Sequence, residues 1–474
     1  MKEKHKIVKL FEVLSLICLY HISGNNSLFL YTMTLCLYNV YISCFSHISL
    51  KNTFKKINYN YSKFKIIKYI TIIILSISLL FVIVSILLSD TVNIFLNIDN
   101  TFWPYLMMSI SIITQPLINI FLEYLESYNK PKLSAILLNA YYILEIIFLL
   151  IIGIGTITIF KFPIHISISL LYISKILSFM LIAAIVLIVL NRQNINFYKL
   201  PEEQTINYKK EIKNIIQQEN HKSIIELIKN SYYYISIIVL YIVLSTRYSY
   251  NIELIENNIT FIYLYGISII NYILFLIQNI AEIDNKKTNV IANILKLFKF
   301  TVKITIIMAI TSPLICNIIF MDNSNSKYFT MISFMLIFLA LYNITFKNIK
   351  NKKIIYISLI SGIITKLILI IPLINSFYRM GYDLIYGDII STIISMIVST
   401  TINYIYLKGK NKKEKTLDKI LTTLYESIIL CIILVILQFI IPMKTDNYIK
   451  SIILLGIYIF ISIAFLNFKK KKRG

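Results

Sequence analysis

The chain has 474 residues, 57% of them hydrophobic, with only 10 Gly and 8 Pro and a mean hydropathy of +0.74. That composition excludes a soluble globular protein. The formal net charge of +24 invites a nucleic-acid partner, but the basic residues sit in short clusters between apolar runs, which excludes nucleic acid as well.

Apolar runs of about 17–25 residues, each long enough to cross roughly 30 Å of hydrocarbon, recur from end to end. They predict about fourteen transmembrane helices, at 7–22, 28–48, 66–89, 101–122, 133–152, 164–190, 230–246, 259–281, 301–321, 328–346, 354–375, 384–407, 420–441 and 448–468. The first contains Lys9 and Glu12, and it has a basic start without a small-residue cleavage site, so it reads as a retained span. With both termini cytoplasmic, the outer segments hold only Lys161, Arg247, Lys327, Arg379, Lys444 and Lys450. Lys175 and Lys366 lie within spans, and the rest of the 47 Lys and Arg lie inside. This asymmetry is the positive-inside rule, and it predicts a multi-pass protein of the cell membrane. The inner basic clusters then face anionic lipids of the inner leaflet.

The expected fold is all-α: two six-helix bundles related by a pseudo-two-fold, plus two further helices. An N-terminal bundle takes residues 1–190, and a cytoplasmic linker takes 191–229. A second bundle takes 230–407, and residues 408–474 supply two more spans and a basic tail. Within the linker, Ile212, Ile215, Ile216, Ile224, Leu227 and Ile228 form a partly apolar face, the pattern of a helix on the membrane surface or of a solvated linker helix. A faint repeat relates "NKPKLSAILLNAYYILEIIFLLII" (129–152) to "KNKKIIYISLISGIITKLILIIPLI" (350–374). An offset of 221 residues matches Lys132 to Lys353 and places Glu145 opposite Lys366. Parallel repeats of this kind build transporters of two bundles around a central site.

Nothing in the chain reads as catalytic. Cys18, Cys36, Cys44, Cys316 and Cys431 are scattered inside spans, with no CxxC, and the His residues show no metal spacing. There is no P-loop, no GxGxxG and no nucleophile elbow. The expectation is a non-enzyme without cofactor or metal. Short outer loops argue against a membrane-embedded glycosyltransferase or polymerase, which would need outer carboxylates on a large loop.

The chemistry therefore falls to charges inside spans, where they are costly and mark function. Glu145 lies about 18 Å from the inner end of its span, at about 1.5 Å per residue, and Lys366 lies equally deep. Lys175, on the next span after Glu145, comes within one or two turns of the same level. Glu145 and Lys175 are read as a structural pair, or Glu145 as a coupling carboxylate. The sequence offers Lys366 no acid at comparable depth, because Asp383 and Asp388 read as near the outer surface. Lys366 is thus the candidate cavity cation for a substrate phosphate, against the alternative that it snorkels. Gln115 and Gln278 read as bonds between helices.

Several stretches resemble the multidrug/oligosaccharidyl-lipid/polysaccharide exporter superfamily, within it the stage V sporulation protein B and lipid II flippase branch. They are "LYHISGNNSLFLYTMTLCLYNVYISCFS" (19–46), "YLYGISIINYILFLIQNIAEIDNKK" (263–287) and "SGIITKLILIIPLINSFYRMGYDLIYGDIISTIISMIVSTTINYIYLK" (361–408). The resemblance implies export of an undecaprenyl-pyrophosphate-linked sugar, a lipid-linked oligosaccharide, to the outer leaflet by alternating access. It also implies that the first and seventh spans line a central cleft. His21 and Arg247, at their outer ends, become candidate substrate-binding residues, with interfacial anchoring as the alternative. The chain departs from the family where relatives show Arg in "LYR", since it has His21, and where they carry a carboxylate then Arg on the fifth span, since it has Tyr141, Tyr142 and Glu145. A drug or cation antiporter of the same superfamily is the alternative function, with Glu145 as its titrating group and the coupling ion unspecified.

Overall fold

The computed structural model describes residues 2–24, 28–45, 54, 60–96, 98–127, 130–191, 208–248, 250–283, 290–349, 351–410, 416–443 and 447–471. All regular structure among them is helical, as a bilayer requires of a chain whose backbone must satisfy its own hydrogen bonds. Each expected span falls on a helix. We number these α1 (Lys2–Ser23), α2 (Phe29–Ser43), α3 (Asn60–Leu96), α4 (Phe102–Ser111 and Thr114–Glu126), α5 (Pro131–Gly153, continued by π-helical Ile154–Ile159) and α6 (Ile164–Leu171 and Ile173–Asn191). α7 is Tyr208–Ile242 with π-helical Val243–Arg247, and α8 runs Ile252–Thr260, π-helical Phe261–Gly266 and Ile267–Ile283. The rest are α9 (Val290–Ile310 and Ser312–Phe320), α10 (Ser326–Asn348), α11 (Lys352–Arg379), α12 (Ile385–Lys410), α13 (Thr416–Ile440) and α14 (Tyr448–Lys471).

Among the described residues 11 helices are long and apolar enough to cross a membrane, and the two pieces of α9, bent by 70°, make a twelfth. α2 falls short with 15 residues, and α1 carries Lys2, Glu3, Lys4, Lys6, Lys9 and Glu12. The bend of α9 has a local cause. Pro313 has no N–H to offer the carbonyl of Ala309. The Thr330 hydroxyl reaches that carbonyl instead, at 3.4 Å, and meets the Ser312 hydroxyl at 2.5 Å. Elsewhere Ser and Thr hydroxyls are hidden by bonding back along their own helices, as in Ser178 to Ser174 O (2.7 Å) and Thr301 to Leu297 O (2.9 Å).

The chain divides into two compact units, residues 1–242 and 243–474. The expected second bundle begins earlier, at residue 230. The difference comes from α7, whose body packs on the first unit. Asn230 Nδ2 donates to Ser43 Oγ (2.7 Å) and to Asn39 O (3.1 Å), Tyr234 and Tyr105 share a hydroxyl–hydroxyl bond of 3.1 Å, and Tyr241 stacks on Phe29. The expected linker helix is not separate either. Its apolar positions belong to the first turns of α7, which run unbroken into the seventh span. Residues 192–207 of the linker lie outside the described residues.

In the second unit, α11 and α12 form a close hairpin. Gly381, at φ +71°, closes the turn between them, a left-handed conformation that suits glycine. Lower down, a Cβ on Gly362 would lie 2.2 Å from Ser399 Oγ and 3.3 Å from Ser395 O, so the two backbones approach as closely as only glycine allows. Ser399 Oγ donates across the seam to Ser358 O at 2.7 Å.

Candidate functional site

Among the described residues, each unit holds a buried lysine–carboxylate pair between consecutive, hairpin-related helices. In the first unit, α5 and α6 pack together and bring Lys175 Nζ onto Glu145 Oε1. Lys175 also lies over the ring of Tyr38 of α2, 4.7 Å from its centroid, a cation–π contact. Hydroxyls surround the pair. Tyr172 OH donates to Thr34 Oγ1 at 2.8 Å, Thr114 and Tyr141 hydroxyls meet at 3.4 Å, and Gln115 Nε2 donates to Tyr142 OH at 3.4 Å. The last bond joins α4 to α5, the interhelical role expected of Gln115. Glu12, exposed on α1, stands within electrostatic range of both Glu145 and Lys175. The pair keeps contact with solvent or lipid: the two side chains are 11% and 14% exposed.

In the second unit, Lys366 Nζ of α11 lies 2.9 Å from Asp388 Oδ1 of α12. It donates to Thr392 Oγ1 at 2.8 Å and to Tyr263 OH at 3.2 Å. Tyr263 OH in turn donates to Asp388 Oδ2 at 2.7 Å, and Thr392 Oγ1 to Asp388 O at 2.8 Å. Tyr263 comes from the π-helical turn of α8, a local rewinding of the kind that re-aims side chains. The Lys366 and Asp388 side chains are 2% and 1% exposed. At 2.9 Å and an effective dielectric near 20, the attraction is roughly 6 kcal/mol. Desolvation of the two ions takes back several kcal/mol, so the pair contributes little net stability while neither charge can be removed alone.

This corrects the expectation that Lys366 has no acid within reach. Asp388 lies only three residues into α12, and for that reason reads as superficial. The lysine stem, however, spans several ångströms toward the outer end, and the tight Gly381 turn sets the two helices side by side. His21 and Arg247 are exposed at the ends of α1 and of the π-helical turn of α7. Gln278 accepts from Lys347 Nζ at 3.4 Å, linking α8 to α10.

Two further charge clusters in the second unit escape a reading of depth alone. Glu426 of α13 receives Lys303 Nζ (2.9 Å) and Lys299 Nζ (3.2 Å), both from α9. Asp383 receives Lys327 Nζ at 2.8 Å and the hydroxyl of Tyr328. Depth does not say which helices are neighbours: Lys299 and Lys303 lie on α9 and Glu426 on α13, and Asp383 lies in the turn between α11 and α12, outside any helix. Among the described residues no group of three or more His, Cys, Asp or Glu converges as a metal site.

No protein-family profile and no curated sequence matches the chain. Solved structures do. The chain is similar to the lipid II flippase MurJ in an inward closed conformation, with a TM-score of 0.68 at 16% identity, covering 99% of this chain and 98% of that one. It is similar to an inward-facing multidrug resistance MATE family transporter of the MOP superfamily, with a TM-score of 0.55 at 11% identity over 86% of this chain and 94% of the other. A MOP superfamily transporter from Pyrococcus furiosus gives a TM-score of 0.54 at 12% identity, covering 86% of this chain and 95% of that one. The chain is a polytopic all-α membrane protein that shares its fold with these solved structures.

Proposed function

We propose that the chain is a flippase that moves an undecaprenyl-pyrophosphate-linked sugar from the cytoplasmic to the outer leaflet by alternating access. The observation that carries this reading is coverage. The flippase accounts for 99% of the chain, whereas the multidrug transporter accounts for 86%. The shortfall matches the size of residues 408–474, the two helices added to a twelve-helix plan. A lipid-linked sugar has a polar head that cannot enter hydrocarbon and a tail that can, so its carrier needs polar side chains inside the bundle and breaks no bond.

Within this reading the first-unit pair is the working element. The pair is partly open and ringed by hydroxyls that suit a sugar. A pyrophosphate arriving there would compete with Glu145 for Lys175 and leave Glu145 free to take up a proton or cation. His21 and Arg247 are assigned to capture of the head at the ends of their helices. Lys366, committed to Asp388, Thr392 and Tyr263, is assigned to holding α11 on α12.

The test is the appearance of labelled lipid-linked precursor on the outer leaflet of cells depleted of other flippases. Lys175→Met and Glu145→Gln should each cut that signal at least tenfold at equal protein level. Undiminished flipping by both variants would overturn the assignment of the pair. The alternative, a drug or cation antiporter, is favoured by the nearness of Glu12 to Glu145. It predicts no flipping by the wild type, together with proton-dependent cation efflux lost in Glu145→Gln.

A further inference from the structure

The break in α9 leaves a cavity that the transport reading does not use. The first piece of α9, Val290–Ile310, packs on α13, whereas Ser312–Phe320, turned by 70°, packs on α14. The last turns of α13 thereby lose the cover of α9. A cavity of about 580 Å³ opens there, lined by Pro313, by Asn323 and Ser326 at the turn into α10, and by Val435, Gln438 and Phe439 on one face of α13. Its volume lies within the roughly 300–1,000 Å³ of small-molecule sites. Met443, in the wall beyond α13, belongs to the core cluster of Leu314, Leu434 and Tyr458 and ties the cavity to the packed interior.

The cavity lies at the ends of the helices opposite the basic connections, and it reaches from the α9–α10 turn to Val435, about 8 Å before the end of α13. That is the depth of lipid headgroups. On the same face of α13, Ile432 (53% exposed) and Phe439 (85%) open it sideways to hydrocarbon. Its polar groups, Asn323, Ser326 and Gln438, are neutral, and no charged side chain is among its described lining residues. The charges nearby are engaged elsewhere, Lys327 with Asp383 and Asp322 with Ser324. Asn323 Oδ1 is shielded from solvent and accepts no hydrogen bond among the described residues, a costly state for a buried acceptor. The Gln438 amide, exposed at the rim, is likewise unengaged among them. A phosphate brings acceptors only and would set negative charge against Asn323 Oδ1. A sugar hydroxyl both donates and accepts, so it meets an amide on both counts. The C–H face of a sugar ring also suits the π face of Phe439.

We propose that this cavity binds the uncharged sugar headgroup of a glycolipid in the leaflet opposite the basic connections. The sugar lies against Asn323, Ser326 and Gln438, and the alkyl chain leaves past Phe439. Such a glycolipid carries no phosphate and is thereby distinct from a pyrophosphate-linked cargo. Bound there, it fills the gap left by the break in α9 and holds the end of α13 to the α9–α10 turn. The site stands apart from the transport reading and does not depend on it.

The experiment is thermal unfolding of the purified full chain in a dodecyl polyoxyethylene detergent, which has an alkyl chain without a sugar. Dodecyl maltoside, the same molar amount of extra polyoxyethylene detergent, or free maltose is added. Dodecyl maltoside should raise the Tm by several degrees more than the extra polyoxyethylene detergent. Gln438→Leu and Phe439→Ala should each lose at least half of that increment while keeping the starting Tm, because both side chains are exposed. Leu421→Ala, exposed toward the other end of α13, should keep all of it. Equal effects of the two detergents, a full increment in either cavity variant, or an equal loss in Leu421→Ala would overturn the site. The same increment from free maltose would overturn a lipid as its occupant.

Discussion

The two units solve one problem twice with the charges exchanged. α5 and α11 begin 221 residues apart, at Pro131 and Lys352, and α6 and α12 begin 221 apart, at Ile164 and Ile385. Glu145 and Lys366 fall at the same position in that register. The first unit puts its acid on the earlier helix and its base on the later; the second does the reverse. The partners differ in depth as well, since Lys175 is eleven residues into α6 and Asp388 three residues into α12. Burial separates the pairs most clearly. One is 11% and 14% exposed and held over a tyrosine ring, and the other is 2% and 1% exposed and set among the hydroxyls of Tyr263 and Thr392. A sealed pair clamps two helices. A pair at the edge of the packing can exchange partners, which is the property a transporter needs of an intramembrane charge.

The largest effect should come from breaking the sealed pair. Lys366→Met leaves Asp388 as a buried orphan charge and should cost about 3–5 kcal/mol. The measurement is the yield and Tm of purified protein in detergent. The double variant Lys366→Met with Asp388→Asn should recover much of the loss, because the amide oxygen that replaces the carboxylate can still accept from Tyr263. A single variant as stable as wild type would mean that water reaches this pair after all, and the contrast between the units would fail.

The span pattern was legible in the sequence because a bilayer leaves a chain few options, and each expected run from 7–22 to 448–468 falls on a helix. The pairing of Glu145 with Lys175 was accessible from depth alone, since consecutive helices pack and both charges lie in mid-span. The partner of Lys366 was not, because depth along the backbone takes no account of the reach of a long lysine side chain. The assignment of α7 to the first unit rests on Asn230, Tyr234 and Tyr241, whose contacts are tertiary. No local pattern announces them. The bend in α9 did have a signal, the Ser312–Pro313 step, but proline alone does not say whether a helix kinks or breaks.

The helix seams sharpen the comparison at a smaller scale. Gly362→Ala should cost about 1–3 kcal/mol by overpacking. Its Cβ would meet Ser399 Oγ at 2.2 Å and the fixed carbonyl of Ser395 at 3.3 Å. Gly155, in the first unit, has only Phe160 Cε2 at 4.0 Å, and Gly155→Ala should be neutral within about 0.5 kcal/mol. A thermal-shift comparison decides. Equal losses would show that both seams are tight. For the charge pair of the first unit, Lys175→Met should cost about 1–2 kcal/mol, between the values for exposed and buried pairs. Flipping should fall in that variant far more than its stability does.

The most local contrast concerns the tyrosine beside each lysine. Tyr263 works through its hydroxyl, which accepts from Lys366 and donates to Asp388. Tyr263→Phe removes one bond to each member of a buried ion pair and should cost about 1.5–3 kcal/mol, the range for hydrogen bonds to charged groups. Lys366 keeps Thr392 and Asp388, which places the loss toward the lower end. Tyr38 works through its ring face, 4.7 Å from Lys175 Nζ. Its hydroxyl lies by Thr114, which already donates to Ser111 O at 2.7 Å. Tyr38→Phe keeps the ring and should change stability by less than about 0.5 kcal/mol, whereas Tyr38→Leu loses a cation–π contact worth about 0.5–2 kcal/mol. Chemical unfolding of the four single variants, Tyr263→Phe, Tyr263→Leu, Tyr38→Phe and Tyr38→Leu, separates hydroxyl from ring. If Tyr38→Phe proved as costly as Tyr263→Phe, the first-unit lysine would be held by a hydroxyl network like its counterpart. The partial exposure of Glu145 and Lys175 would then no longer set the two units apart in function.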